Sequence, residues 1–467
     1  KIDPNKKRVM IPNVEVYGKC QNTDRKDITM AIIPQKSLFG WKDVEELGDL
    51  ERLILVLETM PDERLVSTME IARFRGRNDY PIRAVWNSIL AGLVYQHPTI
   101  ASLRRELQRN AQLRQVCGFD LWKGLAAVPA DYVYSRFLKK LMNEYSHFVD
   151  EMFNELVEIL TELLPDFGNT LAIDGKAIQS YANRKSDENR DGRRDVDGDW
   201  AKKVYKGVRE DSSPWQKVIK WFGYRLHLIV DSKYELPVHF RLTKASLSEV
   251  KQAHEMIDDL AELHPTLVER CAELSADRGY DDGKLITKLW DDHEIKPVID
   301  IRNLWKDTDS TRLLGTHKNV AYDYKGTIYC YCPEKGTQRK MAFGGFEKDR
   351  ETLKYRCPAA HYGINCAGSQ SCRVSQGIRI KLEENRRLFT PLARSSYAWE
   401  RAYDRRTSVE RVNSRLDGFF GFENHTIRGQ KKMEIRCSLA LCIMLAMAAG
   451  RIRQKQPELM RSMVTSA

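Results

Sequence analysis

The sequence predicts a mixed α/β fold with a helical N-terminal region and a cysteine-rich β insertion, and three observations support this. Between residues 166 and 304, short apolar strands alternate with amphipathic helices, as a mixed sheet requires. From residue 41 to 165, apolar side chains recur at the three-to-four spacing of helices. Five of the ten cysteines fall between Cys330 and Cys372, in a stretch rich in Gly, Tyr and charge. At ~100–200 residues per domain, 467 residues make two to four domains. An apolar share of 42% with 9% aromatics excludes a wholly disordered chain. A mean hydropathy of −0.52 argues against an integral membrane protein, and no membrane partner is expected.

The elements follow in order. Residues 1–40 are polar with little period and read as a loosely ordered arm. Leu47, Leu50, Leu53, Ile54 and Leu57 mark a first amphipathic helix. Pro81 opens another, with Ile82, Val85, Ile89, Leu90 and Val94 on one face. After a break at His97-Pro98-Thr99, Ile100–Arg109 forms a basic helix carrying Arg104, Arg105 and Arg109. That pair suits a helix-turn-helix DNA reader and an ordinary helical hairpin equally. A long amphipathic stretch, Val133–Leu164, ends at Pro165.

The pattern then changes. Thr170–Ile173 reads as a short strand ending on Asp174-Gly175-Lys176, and Lys185–Trp200 as a mobile charged loop. Trp221–Val230 and Leu236–Leu242 are two strands, followed by a helix over Leu247–Leu263. Leu274–Ala276 is a strand ending at Asp277, and a further helix and the strand Lys296–Ile301 complete the alternation. The last region, from Tyr397 to about Gln454, is helical. Its longest apolar run, Cys437–Gly450, is too short for the ~20 residues that span a bilayer and reads as a buried helix. The opening KIDPNKKRVM resembles no secretory leader, so a cytoplasmic, nucleoid-associated location is expected.

The charge balance, 76 Lys+Arg against 65 Asp+Glu, hints weakly at a polyanionic partner. In a reducing compartment the clustered cysteines read as metal ligands rather than disulfides. Structural zinc takes four tetrahedral S or N ligands. Cys332, Cys357, Cys366 and Cys372 are the chosen set, with Cys330 the alternate and His361 nearby. The stretch looks too poor in aliphatics to fold on a core of its own.

Asp174 and Asp277 each end an apolar strand with a glycine within two residues. Strand ends in α/β sheets present side chains to ligands, and hard oxygen donors suit Mg²⁺. Each Asp alone also suits a solvated turn or helix cap. A third carboxylate, Glu410, sits on a helix with Arg406 four residues before it, and Tyr403, Arg406 and Glu410 would share one face. Val409, Val412 and Leu416 would bring that face close to a packed surface.

Together, AIDGK, SADRGYDDG and YDRRTSVERVNSRLDG resemble the D…D…E motifs of a DDE transposase. The similarity is to the bacterial insertion-sequence branch whose last motif reads Y-x2-R-x3-E-x6-K. Here those positions are Tyr403, Arg406 and Glu410, with Asp417 where that branch has Lys. GYRLHLIVD, RFLKKL and FGFENHTIRGQKKM add to a resemblance spanning roughly residues 80–450. It implies an RNase H-like mixed-sheet catalytic core. The expected layout is an arm (1–40), a helical DNA-binding region (41–165), a first core part (166–304), a zinc-binding insertion (305–385) and a last core part with the catalytic Glu and a C-terminal helix (386–467).

The resemblance also implies a mechanism. Asp174, Asp277 and Glu410 would hold two Mg²⁺ (or Mn²⁺) ions per active site, ~3.5–4 Å apart, for DNA strand cleavage and joining at transposon ends. Lys176, Tyr403 and Arg406 would contact DNA, with Arg415, Lys431, Lys432, Arg104 and Arg105 as further contacts and Arg415 a stand-in for the missing Lys. His227 reads as a structural strand histidine rather than a phosphate contact. The implied partner is double-stranded DNA, bound by at least a homodimer. Three other readings remain: a catalytically silent DNA-binding protein derived from a transposase, a zinc-stabilised interaction scaffold, and a hydrolytic nuclease with the same core that never joins strands.

Overall fold

The structure is a computed structural model that describes residues 48–73, 79–182, 195–209, 213–315, 317–332 and 334–463. The expected arm over residues 1–40 lies outside the described residues. Helices come first: α1 (Leu50–Thr59), α2 (Glu63–Arg73), α3 (Ile82–Val94), α4 (Ile100–Arg109), α5 (Ala111–Cys117), α6 (Asp131–Glu144) and α7 (Ser146–Leu163). Local chemistry sets their ends. The Thr99 side chain accepts from Ser102 N at 3.1 Å to open α4, Asn110 accepts from Leu113 N to open α5, and Gly118 closes α5 in the left-handed region. α3 is buried at every position from Arg83 to Val94, so it lies at the centre of the helical layer.

The main sheet contains β1 (Thr170–Gln179), β2 (Asp199–Val208), β3 (Pro214–Asp231), β4 (Leu236–Lys244), β5 (Glu273–Ala276) and β6 (Lys296–Ile299). Its order is β2-β3-β1-β5-β6, with β4 also paired to β3. β1 runs antiparallel to β3 and parallel to β5, and β5 runs parallel to β6. Between the strands lie α8 (Glu249–Leu263), α9 (Pro265–Arg270) and α10 (Gly283–Asp291). The sheet and the preceding helices share one hydrophobic core, which reaches from Leu50 in α1 to Met463.

Two sequence expectations need correction here. β1 does not end at Asp174 but continues to Gln179, because β3 is long enough to pair with it as far as Gly223. The charged stretch expected as a loop is also not uniformly one. Residues 183–194 lie outside the described residues, but Asp195 is buried and Asp199 already starts β2. Asp195 accepts hydrogen bonds from Ser180 Oγ and Tyr224 Oη, each at 2.5 Å, and from Gly429 N at 3.0 Å. A carboxylate with that many donors is stable inside, whatever the charge density of its neighbours in sequence.

The insertion consists of two small sheets. β7 (Arg312–Leu313), β8 (Val320–Tyr322), β9 (Ile328–Tyr331) and β10 (Gln338–Lys340) form the first. β11 (Ala342–Glu347), β12 (Thr352–Arg356) and β13 (Ile378–Lys381) form the second, with α11 (Pro358–Tyr362) after β12. Contrary to expectation, this region has a core of its own, built on Val320, Ile328, Leu353, Tyr355, Ile380 and Phe389. Its aliphatics alternate along short strands, so few are enough to fill a thin layer.

The chain returns through α12 (Tyr397–Asp404), α13 (Thr407–Phe420) and α14 (Gln430–Arg453). By length and composition α14 could cross a membrane, yet 83% of its apolar window is buried, packed mainly against α7 and α1. It is a core helix, as the run Cys437–Gly450 suggested.

Candidate active site

The two aspartates meet through strand register. Ile173 and Ala276 are the last parallel partners of β1 and β5, so Asp174 and Asp277 are the next residues on neighbouring strands. Strands lie ~4.8 Å apart, which sets the two carboxylates side by side. Asp174 Oδ1 accepts from its neighbour Gly175 N at 2.8 Å, and Asp277 Oδ1 accepts from Gly279 N at 2.7 Å. Burial, reinforced by the Asp277 charge, pushes the Asp174 carboxyl up to about 6, against partial relief from Lys203.

A third carboxylate at this point was not legible in the sequence. Glu249, the first residue of α8, pairs with Arg225 on β3 at 2.8 Å, and burial raises its carboxyl above the ordinary range. It sits against both glycines of the aspartate motifs. A Cβ at Gly175 would stand 3.0 Å from Glu249 Oε1, and one at Gly279 would stand 2.9 Å from Glu249 Oε2 and 2.7 Å from Asp277 Oδ1. A side chain at either glycine would have to push the ends of these carboxylates aside. The hydroxyl of Tyr280 is fully buried and finds no hydrogen-bond partner among the described residues, and its titration is governed by burial and then by Asp174, Glu249 and Asp277.

Glu410 lies in the first turn of α13, which packs on β1 and β3. It is about half exposed and accepts from Arg406 Nη1 at 2.8 Å. The Arg406 guanidinium also feels the charge of Asp174. The expected single helix is broken: Tyr403 belongs to α12 and Arg406 to the turn before α13, where Thr407 Oγ1 bonds back to Asp404 O at 2.9 Å. Contact survives the break, because Arg406 lies 5.7 Å from the centre of the Tyr403 ring, which stacks on Trp399 at 4.7 Å.

The basic candidates divide by environment. Lys176, two residues beyond Asp174, pairs with Asp417 at 2.5 Å, with both side chains largely shielded. Asp417, at the position where the resembled motif has Lys, thus holds a lysine supplied by β1. Arg415 is buried against Glu235 in the β3–β4 turn and makes no contact with the carboxylates among the described residues. Arg104 donates to Pro129 O at 2.7 Å and pairs with Asp131 at 3.0 Å, which ties α4 to α6, while Arg105 is exposed. Lys431 and Lys432 are exposed at the start of α14, Lys431 reaching Asn143 at 3.4 Å. His227 is buried beside Thr243 at 3.0 Å, and burial with Arg225 and Arg241 holds its imidazole down near 3, so it is neutral.

The cysteines among the described residues are free thiols. Cys332 lies in a tight turn where the backbone N–H groups of Lys335, Glu334 and Gly368 favour its thiolate, lowering it to about 7. Burial and the nearby thiols of Cys357, Cys372 and Cys366 push Cys330 up to about 11. Asn319 donates to Cys372 Sγ at 3.4 Å. The five cysteines are thus neighbours. Among the described residues, however, no group of three or more His, Cys, Asp or Glu stands close enough to hold a metal ion.

In chemical type the donor sets still suit metals. Two adjacent, mutually repelling carboxylates with a third at their edge offer only hard oxygens, which fits Mg²⁺ held by one or two carboxylates plus substrate phosphates. A thiolate held by backbone N–H donors in a tight turn, with further thiols beside it, fits the ligand chemistry of structural zinc.

The family model described as a transposase DDE domain matches residues 166–446. No curated protein matches the sequence. Among solved structures, the chain is similar to a piggyBac transposase synaptic complex with hairpin DNA, at 8% identity over 90% of this chain and 86% of that one. The TM-score is 0.32, too low to carry an argument.

Proposed function

The chain belongs to the DDE transposase family, and we propose that it cleaves and joins DNA strands at transposon ends, with Asp174, Asp277 and Glu410 as its catalytic carboxylates, in the manner of the bacterial insertion-sequence branch. The observation that carries this reading is the register that makes Asp174 and Asp277 neighbours on parallel strands, raising Asp174 to about 6. Two carboxylates forced together in a shielded place are a standing electrostatic cost that a divalent cation relieves. Asp174 and Asp277 would hold Mg²⁺ (or Mn²⁺), two ions when DNA is bound, and Glu410 would complete the set when Arg406 releases it. Bound there, the ions would supply activation of the attacking water or 3′-hydroxyl and charge stabilisation at the leaving 3′-oxygen.

The chain's own residues do the rest. Arg406, paired with Glu410 in the free protein, is positioned to transfer its fork to a phosphate oxygen of the bound strand. Lys176, steered by Asp417, offers a second cation beside Asp174. Glu249 and Arg225 brace the aspartates from the α8 side, and the shielded Tyr280 hydroxyl is available as a donor to the same carboxylates. His227, neutral and hydrogen-bonded to Thr243, is a packing residue. Zinc at the cysteine cluster is part of the proposal as a structural ion, supported by the N–H donors around Cys332 and by the five neighbouring thiols. Double-stranded DNA is the proposed substrate and a homodimer the proposed acting unit.

The test is a labelled duplex carrying the terminal sequence that flanks the chain's own gene, incubated with Mg²⁺, with Mn²⁺ and with EDTA. Metal-dependent cleavage at the end is expected, and it should disappear in Asp174→Ala, Asp277→Ala and Glu410→Ala variants that still bind the duplex. Binding without cleavage in either metal would point instead to the silent DNA-binding reading.

A further inference from the structure

β3 changes character within one strand. Pro214–Lys220 is exposed at every position, whereas Trp221–Asp231 is buried at all but one. The exposed half pairs only with β2, from Val208↔Pro214 to Lys202↔Lys220. The two form a two-stranded ribbon that leaves the sheet, and seven residues at ~3.3 Å each give it a reach of roughly 23 Å.

The ribbon's composition is one-sided. Residues 200–208 and 214–220 contain Lys202, Lys203, Lys206, Lys217 and Lys220 and no Asp or Glu, while Glu210 and Asp211, between the two strands in sequence, lie outside the described residues. Lys202 and Lys220 are direct cross-strand partners, a placement in which like charges repel. Among the described residues, Lys202, Lys217 and Lys220 form no ion pair. A bare hairpin is marginal on its own, so two lysines placed directly opposite each other are a cost that a polyanion would offset. The base of the ribbon also joins the strand that carries Asp174, since Gly223 on β3 pairs with Asp199 on β2 and with Gln179 on β1.

We propose that the β2–β3 ribbon is a DNA-gripping arm that lays its lysines along the phosphates of duplex DNA entering the Asp174–Asp277 site. This rests on the DNA transposase reading above. A two-stranded ribbon fits a major groove ~12 Å wide, and its reach matches about seven base-pair steps at ~3.4 Å. A second copy of the chain is the less suitable occupant. It carries a formal net charge of +11, so its overall field opposes the approach of a lysine-rich ribbon.

The test measures binding of the full chain to a fluorescent duplex in EDTA across a salt series. Lys202→Gln/Lys217→Gln/Lys220→Gln should lower the slope of log K against log salt by about 0.9 per lysine, roughly 2.7 in all, and weaken binding equally for unrelated duplexes. The same three positions changed to Arg should keep the wild-type slope, which separates lost charge from lost folding. A glutamine variant with the wild-type slope would overturn the proposal. So would an unchanged slope accompanied by a shift of the DNA-free protein from dimer to monomer in sedimentation, because the ribbon would then serve a second copy. A wild type that binds no duplex at any salt would overturn the DNA reading itself, and the ribbon's role with it.

Discussion

Replacing Asp174 by Asn should make the protein more stable while removing its activity. The Asp174 carboxyl is pushed up to about 6, by burial first and then by Asp277, from an ordinary value of 3.8. At ~1.4 kcal/mol per pH unit, that displacement amounts to about 3 kcal/mol of destabilisation once both folded and unfolded chains are ionised. The sign follows from the direction. A carboxyl raised in the folded state keeps its proton there after the unfolded chain has lost it. Stability therefore falls as pH rises from about 4 to about 6 and stays low above that. Asn carries no charge but keeps an oxygen to accept the Gly175 N–H. In EDTA, urea titrations should show Asp174→Asn gaining up to about 3 kcal/mol over wild type near pH 8 and almost nothing near pH 4. Mg²⁺ should then stabilise wild type more than the variant. A gain that is absent, or equal at both pH values, would refute the argument that Asp174 is held against its neighbours for a cation.

Three further outcomes follow from the same geometry. Glu410→Gln should abolish cleavage yet move the urea midpoint little, because its pair with Arg406 is half exposed and such pairs contribute under about 1 kcal/mol; a large loss of stability would make Glu410 structural. Gly279→Ala should slow cleavage roughly 10- to 100-fold in single-turnover assays, since the new Cβ must displace Asp277 Oδ1 and Glu249 Oε2 from 2.7 and 2.9 Å; unchanged turnover would show that those carboxylates need no fixed position. Asp417→Asn and Lys176→Ala should be non-additive in cleavage rate, with a coupling of about 0.5–3 kcal/mol in a double-mutant cycle; strict additivity would show that Asp417 does not position Lys176.

Much of this site is written in local sequence. Asp277 is legible because an apolar strand stops there, and the strand does stop there. Asp174 is legible as a residue but not as a strand end. Its strand continues along β3, and only the parallel partner β5 ends, a fact that lives in the pairing rather than in either segment. Glu249 is hidden for a similar reason. An acidic residue after Ser248 at a helix start reads as an ordinary first-turn Glu, and only the fold carries it to Gly175 and Gly279. The partners of the arginines are hidden in the same way. Arg104 and Arg415 look like phosphate grips in the sequence, but Asp131 and Glu235 come from other elements to claim them. The ribbon escapes notice because AKKVYKGV resembles a polar loop, and its partner lies further along the chain.

Transposition in living cells tests the central claim most directly. A selectable marker flanked by the element's own ends is supplied with the chain in trans, and new insertions are counted. The account predicts insertions with wild type and none above background with Asp174→Ala, Asp277→Ala or Glu410→Ala, each accumulating to the wild-type level. Insertions at the wild-type rate from any one of the three would contradict it.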